Sequence, residues 1–103
     1  MYAYLFPMSE NPFVCDQCRR SISTIREYDR QNRANLEQTA RVYVSEKMEI
    51  SAAAKALYQH PNTVRYRLTK IQKLMGMEDD AMFASMISLA ISLARILGEE
   101  RQG

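Results

Sequence analysis

The chain has no tryptophan, one histidine, two cysteines, three glycines and three prolines among 103 residues. Each shortage excludes something. His60 is the sole histidine and Cys15 and Cys18 form the single CxxC, so one chain cannot supply the four ligands of a structural zinc site. A CxxC at a helix start has the spacing of a redox dithiol, but no βαβ pattern surrounds it. Core or surface cysteines are the expected reading, with an intermolecular metal or disulfide as the alternative, and both thiols are expected to be reduced. So few glycines leave no phosphate-cradling loop, and the acids are dispersed or sit at helix starts. No catalytic constellation is therefore expected, and no cofactor.

Scarce glycine and proline, with no low-complexity run and no internal repeat, point to one compact domain. Its length allows a modest core, near the size where oligomerisation often supplements stability. Long hydrophobic runs are also missing. Residues 1–6 are apolar but have no basic start and no long hydrophobic region, so a secretory signal is not expected; they read as a short strand or the edge of an upstream domain. The most apolar later stretch, from Met82 to Leu97, is interrupted by serines and too short for a membrane span. The expected location is the cytoplasm.

The last absence is local. No Asp or Glu occurs from Ile50 through Met77, whereas Lys55, Arg65, Arg67, Lys70 and Lys73 all do. The other nine basic residues face all twelve acids, a net −3, so the overall charge of +2 conceals a polarised molecule. Within this stretch Ser51 is the expected N-cap of a short helix, because its hydroxyl can accept an orphan N–H ahead of the helix formers Ala52 to Leu57. Ala53, Ala54 and Leu57 make a thin apolar face that lets a second helix approach closely, as in a helix-turn-helix. The stop falls near Tyr58-Gln59, since Pro61 disfavours a helical residue before it and suits the first position of the next helix; His60 reads as an indifferent cap.

From Pro61 the apolar residues Val64, Leu68, Ile71 and Met75 recur at helical spacing and define a buried stripe. Asn62, Tyr66, Thr69, Lys70 and Lys73 point away from it, and Arg65 and Arg67 lie on its two flanks. Amides, hydroxyls and cations on one face suit phosphates and base edges. The expected DNA contacts are Lys55, His60, Pro61, Asn62, Thr63, Arg65, Tyr66, Arg67, Thr69, Lys70 and Lys73, with Asn62 able to form a bidentate contact to adenine. The plainer reading is a solvated basic helix. Segregated charge and helix-turn-helix punctuation on the same residues, about 51–75, favour double-stranded DNA as the partner.

At these positions Ala54, Ala56, Leu57, His60, Asn62, Thr63, Val64, Tyr66, Arg67, Leu68, Ile71, Leu74 and Gly76 match a pattern in place. The run resembles the C-terminal helix-turn-helix of PucR-type transcriptional regulators, the purine-catabolism and sugar-diacid regulator family. The likeness extends from about Ile22 to Leu97, taking in Tyr28-Asp29, Leu36 to Thr39, Tyr43 and the last helix. It implies a regulator of transcription whose effector, if any, binds a separate sensory region outside this chain. Two turn residues depart from the pattern: Gln59 replaces Val or Ile, and Pro61 replaces a basic residue, so the family's base preference does not carry over.

Around the motif the fold class reads as all-α, a bundle of about five helices over 12–103, with 1–11 as an extended segment. Asn11-Pro12 opens a first helix to about Arg30, with Val14, Cys18, Ile22, Ile25 and Tyr28 inward; Arg19, Arg20, Arg26 and Arg30 interleave with acids and read as solvated. Asn35 with Gln38 has capping-box spacing for a second helix to about Lys47, with Leu36, Thr39, Ala40, Tyr43 and Val44 inward. Gly76 suits a left-handed helix end, and Asp79 or Asp80 a final cap. The last helix is apolar around most of its circumference, so it reads as core or as a homodimer seam carrying Met86, Ile87, Ile91 and Ala94. An interaction module built on that helix is the alternative function.

Overall fold

The computed structural model describes residues 12–102, with side chains as far as Arg95. The expectations for 1–11, including the Asn11 cap, and for the Ile96 and Leu97 side chains lie outside the described residues. Among the described residues five helices follow one another: α1 Pro12–Asn32, α2 Leu36–Ser45, α3 Ile50–Leu57, α4 Pro61–Met75 and α5 Asp80–Gln102. The all-α expectation holds, and no strand occurs among the described residues.

The core is assembled from one stripe per helix. Cys18, Ile22 and Ile25 of α1 meet Phe83, Ile87, Ala90 and Ile91 of α5, while Leu36 and Ala40 of α2, Ala53 and Ala54 of α3, and Val64, Leu68, Ile71 and Met75 of α4 close the remaining sides. Tyr28, Tyr43, Val44 and Leu57 are half-buried at its margin. Transfer of each fully buried isoleucine from water is worth roughly 1.5–3 kcal/mol, so Ile25, Ile71, Ile87 and Ile91 are the principal anchors. Burial also pushes the Cys18 thiol up to about 11, with Cys15 nearby adding to the effect, which makes it an inert core residue. No cluster of metal-binding side chains occurs among the described residues.

Two of the four expected seam residues are core residues of the single chain. Ile87 and Ile91 are 0% and 1% exposed inside a single chain, and Met86 and Ala94 are half-buried against the same core. The α5 stripe is covered by the chain's own helices. Sequence periodicity had shown how much apolar surface α5 carries, but not that α1 lies along it.

The helix ends bring further corrections. Asn35 takes a left-handed conformation (φ 57°) and its side chain caps nothing, so the capping box does not form. Asp29 does the work from α1: its two carboxylate oxygens accept the N–H groups of Leu36 at 2.7 Å and Glu37 at 2.9 Å. The second helix stops at Ser45, because Lys47 and Met48 are both left-handed (φ 57° and 63°) in the turn that follows. Ser51 lies inside α3 rather than at its cap; Ile50 already packs on the core as the first helical residue, and Glu49 precedes it with extended backbone. Two ends match expectation. Gly76 is left-handed at the end of α4 (φ 68°), a conformation that suits glycine, and Asp79 starts α5 by accepting Met82 N–H at 2.9 Å.

Candidate nucleic-acid interface

Helices α3 and α4 form the helix-turn-helix. Its turn is built by backbone geometry: Tyr58 ends α3 in the left-handed region (φ 56°), Gln59 N–H reaches back to the Ala54 carbonyl at 2.9 Å, and extended His60 opens α4. His60 is more than an indifferent cap. Its Nδ1 accepts the Asn62 N–H at 3.0 Å, and its carbonyl accepts from Thr63 at 2.9 Å, so the first turn of α4 is tied down at the residues expected to meet bases. Pro61 occupies the first helical position, where its missing N–H costs nothing. The near-complete burial of Ala53 and Ala54 is what lets α4 pass so close beneath α3.

With Val64, Leu68, Ile71 and Met75 buried, the opposite face of α4 is turned to solvent. Asn62, Arg65, Tyr66, Thr69 and Lys73 are exposed, Lys55 is exposed on α3, and Pro61 and Thr63 are half-buried beside the turn. Tyr66 is 70% exposed, which is unusual for so large a ring. Arg65 donates from Nη1 to the Asn62 side-chain oxygen at 2.8 Å, joining two neighbours one helical turn apart.

Two of the expected contacts are held differently. Arg67 is half-buried and donates to Thr39 Oγ1 at 3.2 Å, which ties α4 to α2. Lys70 is half-buried with its ammonium 4.9 Å from the centroid of the Tyr28 ring, a cation–π contact with α1. Both cations therefore brace α4 against the bundle at the edge of its solvent face. Periodicity placed Lys70 fully outward, and it missed Tyr28, Thr39 and Asp29 as supports because these belong to other helices. It also missed Tyr58, which is 94% exposed at the tip of the turn.

Electrostatically this face stands apart. The ion pairs among the described residues lie on α1 and α2: Arg20 with Asp16, Arg30 with Glu27, and Arg26 and Arg41 both with Glu37. None involves Lys55, Arg65, Arg67, Lys70 or Lys73. The cations of α3 and α4 are thus in no ion pair among the described residues, whereas three of the four arginines of α1 are paired, although Thr69 and Lys73 share a surface pocket with Glu78 and Asp80 at the end of α4. A helix face that carries amide, phenol and cations and no acid of its own can engage a polyanion and reach into a groove.

Comparison with known proteins agrees with this geometry. The model of the PucR C-terminal helix-turn-helix domain matches residues 36–94, from the start of α2 well into α5. Among curated proteins, the chain is 28% identical over 74 residues to the DNA-binding transcriptional activator AdeR of Bacillus subtilis (strain 168), covering 72% of this chain and 18% of that protein. It is 38% identical over 64 residues to the purine catabolism regulatory protein of the same organism, covering 61% of this chain and 12% of the relative. No solved structure gives a significant match. The chain spans less than a fifth of either relative's length. The matched region contains α2, α3 and α4 whole, with both partners of the Arg67–Thr39 brace, and the chain belongs to the PucR family of DNA-binding transcriptional regulators through its C-terminal helix-turn-helix domain.

Proposed function

We propose that this chain binds duplex DNA sequence-specifically and acts in the control of transcription, with α4 entering the major groove. The observation that carries the reading is the solvent face of α4, where Asn62, Arg65, Tyr66, Thr69 and Lys73 project without a carboxylate among them. Asn62 and Arg65, on the first turns of the helix, read bases; Lys73 near its end, Lys55 on α3, and the Arg67 and Lys70 edge meet phosphates. His60 acts chiefly by fixing the first turn, and Pro61 and Thr63 flank it. The proposed place of work is the cytoplasm; no helix among the described residues is long and apolar enough to cross a membrane. The family of regulators to which the chain belongs is not a class of enzymes.

A single recognition helix reads only a few base pairs, so two copies on half-sites about one helical turn apart are the proposed working arrangement. Ile87 and Ile91 are buried within one chain, which supports placing the proposed seam between copies outside the α5 core stripe. The same burial favours a core role for this stripe over a protein-interaction module built on α5. The function is tested by mobility-shift titration of the chain on randomised duplexes across a salt series. With about four phosphates neutralised, log affinity falls against log salt with a slope of roughly −3.6 per chain. Affinity that does not change with salt would overturn the reading.

A further inference from the structure

We propose that Asn62 and Arg65 act as one base-reading unit in which hydrogen-bond donors predominate, and that it therefore favours guanine where an isolated Asn62 would select adenine. The inference rests on the DNA-binding reading and adds the identity of the base. Its basis is the 2.8 Å bond from Arg65 Nη1 to Asn62 Oδ1. A guanidinium has five N–H donors and no acceptor, so the amide must turn its oxygen toward Arg65 and its NH2 group outward. The pair then shows the groove one amide NH2 and the remaining N–H groups of the guanidinium, against a single lone pair left on Oδ1.

Major-groove chemistry distinguishes the bases on this point. Adenine displays N7 as acceptor and the N6 amine as donor, and a bidentate asparagine needs its oxygen for that amine. Guanine displays two acceptors, N7 and O6, which match a surface rich in donors. The backbone beneath the pair is fixed, since the Asn62 N–H is held by His60 Nδ1 at 3.0 Å. Among the described residues no carboxylate pairs with Arg65 to draw it away. Arg65 is thus a specificity determinant that acts both directly, through its own fork, and by occupying the oxygen of Asn62.

The test is selection from a randomised duplex library with the full chain, Asn62→Ala and Arg65→Ala, followed by titration on the selected site with guanine or adenine at the position each variant alters. Both side chains are exposed, and circular dichroism confirms that the variants fold. The expected result is a preference of about tenfold or more for guanine in the parent chain, a weaker guanine preference in Asn62→Ala, and a shift toward adenine in Arg65→Ala as the amide oxygen is released. Selection of adenine by the parent would overturn the pairing while leaving sequence-specific binding intact. So would an Arg65→Ala variant that binds every sequence proportionally more weakly, because that is the behaviour of a phosphate contact. Failure of the parent to bind, or to prefer any sequence, would overturn the proposed function itself and this inference with it.

Discussion

Single carboxylates hold the platform on which the recognition helix rests. Asp29 satisfies two N–H groups at the start of α2, and α2 in turn carries Thr39, the partner of Arg67. Asp29→Ala should therefore destabilise the fold by about 0.5–2 kcal/mol, the usual effect of losing a cap, as read by thermal or urea denaturation. Glu37 is a second case. Burial pushes its carboxyl up, but hydrogen bonds from Arg26 and Arg41 more than offset this and hold it below its ordinary value of 4.5. A carboxylate with a depressed folded value contributes stability that is present above the unfolded value and is lost as pH falls through the folded one. Stability measured by denaturation should thus decline on the acid side of about 4.5, and Glu37→Gln should flatten that decline while lowering stability at neutral pH.

At the scale of the element, α4 combines bracing with the proposed DNA contacts, and its lysines separate the two. Lys70 lies over Tyr28, whereas Lys73 is exposed with no ion pair among the described residues. Lys70→Ala should cost about 0.5–1 kcal/mol of stability as well as DNA affinity, while Lys73→Ala should cost affinity on all sequences alike and leave the denaturation midpoint within error. Paired melting and titration experiments on the two variants check this contrast.

Much of α4 was legible beforehand because its determinants are local: a helical stripe from Val64 to Met75, Pro61 at the start and Gly76 at the end. Asp79 was legible for the same reason. What escaped sequence reading depends on contacts between helices. Asp29 caps a helix seven residues away, and Arg67 and Lys70 turn toward partners on α2 and α1 that no periodicity reveals. Ser51 and Asn35 have good capping chemistry, yet neither caps, since core packing of Ile50 and the left-handed turn at Asn35 set the helix starts.

At the scale of the whole molecule, α5 decides between core and seam. Ile91 is 1% exposed within one chain, so Ile91→Glu would place a charge in the core. The expected outcome is loss of helical signal and cooperative melting, observed by circular dichroism. Sedimentation showing a folded monomer for this variant and a dimer for the parent would instead return the seam to α5. The other whole-molecule property is polarity of charge. Acids are absent from Ile50 to Met77 and the ion pairs among the described residues sit on α1 and α2, which leaves the cations of α3 and α4 available to a polyanion.

That availability is tested most directly by the salt dependence of DNA affinity for the parent chain and Lys73→Ala on one selected duplex. The slope of log affinity against log salt should be roughly −3.6 for the parent and about −2.7 for the variant, one phosphate contact fewer. A parent slope near zero, or a slope that Lys73→Ala leaves unchanged, would contradict the assignment of the α4 face as the DNA-binding surface.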